Sequence, residues 1–284
     1  MTRSKKRTAP QHPAQHAHKI ADAVAAAWHR TYGSGRLDVP VSVVATLAAA
    51  PQRDVHGNDS TEIMMAWDLD EFHTYSRAVW TMVIRRRPET ATLLYPLVAW
   101  IFEGPSADVK AHAHTVAMAA LAAGEVDLVG TDHRFDVDVL GTVLTMLRPS
   151  SALKERGQFY TPPDVADLIA RMTTVEEASS IEDPMMGTGG LFRAAAAAMR
   201  AAGRDPRTVQ WAGCDIDAMA VACATVNSMI WGLGTDILFY VGNTLTEDWK
   251  AAAAAQRDEL RSIAADVERC RALMALLVGS ESGP

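Results

Sequence analysis

Cysteine is scarce. Cys214, Cys223 and Cys270 are the three in 284 residues, and none forms a Cys-x-x-Cys pair. The chain therefore offers neither a zinc-ribbon ligand set nor a disulfide framework, and it reads as cytoplasmic. Long apolar runs are also missing, so no membrane-spanning helix is expected. The opening "MTRSKKRTAPQHPAQHAHK" is basic but leads into no signal-type apolar core. Charged residues make up 21%, the net charge is -7 and the pI is about 5.7. That balance argues against a protein that coats nucleic acid, while leaving room for a local basic patch. His16 and His18, and again His112 and His114, stand two apart, a spacing that points them to different sides of a helix. No metal site is expected.

Hydrophobic residues reach 49%, enough for a sizeable core in one large domain or two small ones. Residues 1–15 read as a disordered tail whose Arg3, Lys5, Lys6 and Arg7 are solvated. Residues 16–150 carry helical spacing throughout. "MAWDLDEFHTYSRAVWTMVIRRR" places Trp67, Phe72, Trp80 and Val83 on one buried stripe. Its end, Arg85, Arg86 and Arg87, suits the negative pole of a helix. Contact with DNA is the sharper alternative for these arginines. "LRPSSALKERG" reads as an exposed joint, so the helical part is expected to fold by itself.

From residue 151 the pattern changes. "SSIEDP", "TVQWAGCDID" and "DILFYVGN" are strands, and "LFRAAAAAMRAAG" and "AMAVACATVNSMIWGLG" are helices between them. A β-α-β-α-β series implies a parallel sheet with right-handed crossovers. "TPPDVADLIARM" forms a helix ahead of it, with Asp164 in the first turn. The residues from 246 form one long helix or two. Leu260, Ile263, Val267 and Leu273 give that last segment an apolar face, to be buried on the sheet or on a partner.

Between the first strand and its helix stands "DPMMGTGG", residues 183–190. Glycines at the mouth of a helix let a ligand approach the backbone. No Gly-Lys-Ser/Thr closes the run, which disfavours a nucleoside triphosphate. The third slot of a dinucleotide fingerprint is Phe192, which weakens a nicotinamide reading. S-adenosylmethionine remains. It has no phosphate, and it needs a tight glycine turn and an acid at the next strand end for its ribose hydroxyls. Asp215 is that acid.

"GQFYTPPDVADLIARM", "DPMMGTGGLFRAAAAA", "GCDIDAMAVACATVNSMIWG" and "VGNTL" resemble, in order and spacing, the N6-adenine DNA methyltransferases. The modification subunits of type I restriction systems are the nearest in kind. The resemblance covers roughly residues 135–245. It implies an α/β protein, a helical N-terminal domain followed by a Rossmann-like S-adenosylmethionine-dependent methyltransferase domain. It assigns a cofactor site to Tyr160, Thr161, Pro162, Asp183, Pro184, Gly187, Thr188, Gly189, Asp215, Ile216 and Asn243. Thr161 and Pro162 would line the methionine end, and Asp183 would face its ammonium. Gly187 and Gly189 would admit it, Asp215 would take the ribose hydroxyls, and Asn243 would meet the adenine. Met185 and Met186 stand where the family has Ala-Cys, so they are expected to narrow the pocket.

One family element is missing from these 284 residues. No Asn or Asp is followed by Pro-Pro and an aromatic, and Pro162-Pro163 precedes Asp164. In the family that loop accepts the hydrogens of the adenine amino group and stacks on the flipped base. The chain is thus expected to be truncated before its catalytic loop and to assign no catalytic residue. It would bind S-adenosylmethionine, reach DNA through a complex, and form half of a split restriction-modification methylase. The complementary chain would carry the catalytic loop and a target-recognition domain. The alternative is a non-catalytic regulatory module that keeps the fold and binds DNA or protein.

Overall fold

The computed structural model describes residues 12–32, 35–53, 60–148 and 161–279. The basic arm at Arg3–Arg7, the joint at residues 149–160 and Tyr160 lie outside them.

The N-terminal part is helical. Helix α1 (Pro13–Thr31) starts inside the expected tail, on a proline whose fixed φ suits a first turn. It buries Ala17, Ile20, Ala21, Val24 and Trp28, the spacing of one helical face. Helices α2 (Asp38–Ala49), α3 (Ser60–Met65), α4 (Leu69–Arg86), α5 (Ala91–Phe102), α6 (Ala107–Ala123), α7 (Glu125–Val129) and α8 (Val139–Leu147) follow. The stripe read as continuous from Met65 is broken before α4. Asp68 accepts from the Asp70 and Glu71 amides while Glu71 reaches back to the Asp68 amide. That reciprocal capping box starts a new helix. Phe72 and Trp80 are buried as expected, and the Trp80 indole donates to Thr46 Oγ1 at 2.8 Å.

Helix α9 (Pro163–Met172) leads into the α/β layer: β1 (Ser180–Asp183), α10 (Gly190–Ala201), β2 (Gln210–Asp215), α11 (Ala218–Ile230) and β3 (Ile237–Val241). A single helix, α12 (Trp249–Gly279), follows. The sheet is parallel with order β1-β2-β3. Period-two alternation separates its faces. Trp211, Ile237 and Phe239 pack with Phe192, Met199, Val221 and Trp231 beneath α10 and α11. Ala212, Cys214 and Leu238 face Trp249 and Ala253 of α12. The start of α12 therefore covers one face of the sheet through Trp249 and Ala253, while Ile263, Val267 and Leu273 of the expected apolar face stay exposed.

The helical part and the sheet layer share a core. Ala222, Cys223 and Val226 of α11 belong to the same apolar cluster as Val44, Leu97, Leu140 and Leu144. Arg148 pairs with Asp217 at 2.6 Å, both side chains more than 90% buried. Trp231 donates its indole N–H to the Val137 carbonyl at 3.0 Å, and Arg87 reaches the Gly234 carbonyl at 3.2 Å.

Candidate cofactor site

The glycine loop sits at the carboxyl ends of β1 and β2. Its conformation needs glycine at two positions: Gly187 has φ +54° and Gly189 φ +90°. A Cβ on Gly189 would also stand 3.2 Å from the Trp231 ring. Gly190 meets nothing within 4 Å. Hydrogen bonds fix the loop to the strand ends. Met186 N–H donates to the Cys214 carbonyl at 3.0 Å, and Gly189 N–H to the Met186 carbonyl at 2.8 Å.

Two carboxylates converge here. Asp215 Oδ2 accepts from Gly187 N–H at 2.9 Å and its Oδ1 from Asp217 N–H at 2.9 Å. Asp183 Oδ1 accepts from Met185 N–H at 3.0 Å. Burial holds the Asp183 carboxyl above the usual carboxylate range, and the nearby charge of Asp215 adds to the effect.

The two methionines behave differently from each other. Met186 is buried and lies on β2, its sulfur occupying the space where a Cβ on Gly213 would come within 2.3 Å. Met185 is 78% exposed. Ile216 and Leu245 are also exposed, at 71% and 91%, and give the carboxyl edge of the sheet an apolar rim. Phe192, the residue in the third fingerprint slot, is core: its ring stacks on Phe239 at 5.7 Å. Asn243 forms a turn, with Oδ1 accepting from Leu245 N–H at 3.0 Å. Thr161 and Pro162 are exposed at the entry to α9, with Pro162 as its N-cap, and Pro184 is exposed beside Met185.

Thr188 points away from the carboxylate pair. It is 96% buried, and its hydroxyl donates to Asp138 Oδ2 at 2.5 Å. Asp138 Oδ1 accepts from Gly141 N–H at 2.7 Å and from Asn227 Nδ2 at 2.8 Å. Asn227 Nδ2 also donates to the Thr188 carbonyl at 2.9 Å. Burial pushes the Asp138 carboxyl up, against the donors gathered on it. Gly141 makes room, because a Cβ there would stand 2.2 Å from Asp138 Oδ2. The loop is therefore clamped from the helical part. Asp138 and Asn227 were not among the expected site residues. Their signals were an acid three residues before a glycine at a helix start, and the one amide in "ACATVNSMIW".

The other polar features are structural. A cleft of about 660 Å³ lies between α9 and α10, lined by Arg171, Arg193, Arg204 and alanines, and does not include the glycine loop. Arg193 is engaged there by Asp167 at 2.7 Å and the Asp136 carbonyl at 3.1 Å. His16 and His114 bond the Ala123 and Trp67 carbonyls. Among the described residues no group of three His, Cys, Asp or Glu gathers, and no helix is long and apolar enough to cross a membrane. The basic run is divided: Arg87 pairs with Glu89 at 2.6 Å and Arg85 approaches Glu268 at 3.9 Å.

A family model described as N-6 DNA Methylase matches residues 137–266. No curated protein matches the chain. Among solved structures the chain is similar to the type I restriction-modification system methyltransferase subunit from Streptococcus thermophilus. The identity is 18% and the TM-score 0.41, over 83% of this chain and 59% of that one. The chain thus spans 59% of that subunit's length. The stretch that this family model matches, residues 137–266, holds the whole sheet and the glycine loop.

Proposed function

We propose that the chain binds S-adenosylmethionine at the carboxyl ends of β1 and β2 and serves as the cofactor half of an adenine-N6 DNA methyltransferase. The observation that carries this reading is the convergence of Asp183 and Asp215 on the glycine loop. The residues fit the ligand's chemistry. Asp183 would take its ammonium, Asp215 its ribose hydroxyls, and Ile216 would lie against its adenine. The bound group supplies an electrophilic methyl on sulfur. Asp215 already holds Gly187 N–H, so it fixes the loop as well as offering an acceptor.

The reading extends to a partner. The sequence carries no Asn/Asp-Pro-Pro-aromatic loop, so the acceptors for the adenine amino group come from another segment or chain. Two surfaces suit such a complement. Among the described residues β1 pairs with β2 alone, and its Ser180 and Glu182 are exposed. Helix α9 presents Val165, Leu168, Ile169 and Met172, each more than 40% exposed. An open sheet edge is the natural seat of a further strand.

Calorimetry with S-adenosylmethionine tests the binding half. Heat is expected from the intact chain, with affinity reduced by roughly ten- to a hundredfold in Asp215→Ala, the loss of one charge-assisted acceptor. A radiolabelled methyl assay on adenine-containing DNA is expected to show no transfer by the chain alone. Methylation by the pure chain would overturn the split. Absence of heat would establish the second reading, a binding module without cofactor, which the engaged oxygen of Asn243 favours.

A further inference from the structure

Helix α12 has two parts. The first rests on the body through Trp249 and Ala253, and Arg257 bonds Asp236 at 3.2 Å. Past Arg261 the helix is almost wholly exposed. Ile263 is 51% exposed, Val267 44% and Met274 66%. Cys270 is exposed as well.

These apolar residues are regularly placed. Leu260, Ile263, Val267, Cys270 and Met274 follow one another at intervals of three, four, three and four. That alternation is the a/d seam of a coiled coil, with Leu260, Val267 and Met274 at a and Ile263 and Cys270 at d. The ion pairs between this stretch and the body, Arg261 to Glu89 and Glu268 to Arg85, both come from position b. Leu260 is half-buried, and Ile263, Val267, Cys270 and Met274 stay exposed.

Charge selects the partner. In this register Asp266 stands at g and Arg271 at e of the next heptad. In a parallel pair a g residue faces the e residue five positions on in the other helix. Asp266 of each copy would then face Arg271 of the other, giving two symmetric bridges. An antiparallel pair sets e beside e and g beside g and loses both. We infer that the exposed seam of α12 joins a second copy of this chain in a parallel two-stranded coiled coil. In the single chain, Arg269 holds Asp266, and Glu268 holds Arg271 at 2.7 Å. Arg271 exchanges Glu268 for Asp266 of the second copy. The pairing is independent of the proposed cofactor site.

The full-length chain is the material for the test. Sedimentation equilibrium is expected to show a concentration-dependent dimer that Val267→Asp converts to a monomer, with the helical circular dichroism of the body kept. Arg271→Asp is expected to weaken the dimer roughly tenfold, since two bridges become repulsions. The double exchange Asp266→Arg/Arg271→Asp restores it. Mild oxidation is expected to link the copies through Cys270, and Cys270→Ser to abolish the link, because Cys214 and Cys223 are buried. A monomer at every concentration would overturn the inference. So would a dimer indifferent to Val267→Asp, a double exchange that fails to restore, or a dimer that Cys270 cannot link.

Discussion

Asn227 donates its side-chain amide to Asp138 at 2.8 Å across 89 residues of sequence. With Thr188 and Gly141 it makes Asp138 the acceptor for three donors. Asp138→Ala would orphan them in a dry setting, at a cost of about 3 kcal/mol. The expected outcome is a lower urea midpoint together with faster amide exchange at residues 187–190. Asn227→Leu should lower the midpoint less, and the double variant less than the sum, because the two share one network. Unchanged exchange in the glycine loop would show that the clamp does not restrain it.

Glu125 is fully buried at the start of α7, and neither carboxyl oxygen has a hydrogen-bond partner among the described residues. Burial holds its carboxyl well above the ordinary value. The folded chain therefore keeps a proton that the unfolded chain releases. Stability falls as pH rises from the ordinary carboxylate range through the folded-state value, and the loss is complete above it. Glu125→Gln removes this dependence, so the variant should gain on the parent as pH rises. Urea unfolding across pH 5 to 8 measures the difference, and parallel pH curves would count against it.

Met186 and Phe192 both lie against the backbone at Gly213 of β2. A Cβ there would meet Met186 Sδ at 2.3 Å and Phe192 at 3.0 Å. Gly213→Ala is expected to lose about 1–3 kcal/mol through overpacking. Because Met186 belongs to the glycine loop, cofactor affinity should fall with it. Gly190→Ala, which meets nothing within 4 Å, is the contrasting variant and should retain the fold.

The shared core bears on folding. Helix α11 inserts Ala222, Cys223 and Val226 among the residues of α2, α5 and α8. We expect one cooperative thermal transition for the whole chain. A fragment of residues 12–148 should expose the apolar surface that α11 covers and bind hydrophobic dye. Cooperative unfolding by that fragment alone would instead support the independent helical domain that the joint at residues 149–160 suggested.

The sheet layer was legible because its signals are local. Alternation in "VQWAGCD" and "DILFYV", and glycines at helix ends, mark β2, β3 and α10 without reference to anything distant. Asp215 was legible for the same reason, as an acid closing a strand. The start of α4 was misread although Asp68 and Glu71 carry the spacing of a capping box, because the apolar stripe ran across it. The family resemblance assigned Thr188 to the cofactor site. Its hydroxyl also bonds Asp138, 50 residues away on the helical part, and no pattern along the chain announces such a pairing. Phe192 looked like a defect in a fingerprint and is instead a stacking partner for Phe239.

The 31 residues of α12 amount to a rod of about 46 Å. A compact chain of this length would have a radius of gyration of about 19 Å. The stretch beyond Glu268, which approaches Arg85 of α4, adds roughly 16 Å of further reach. Diffusion and small-angle scattering should therefore report a longer particle than the mass suggests. Whatever engages the tip is held at a lever's length from the carboxylate pair, so both ends of the molecule remain free to be occupied at once.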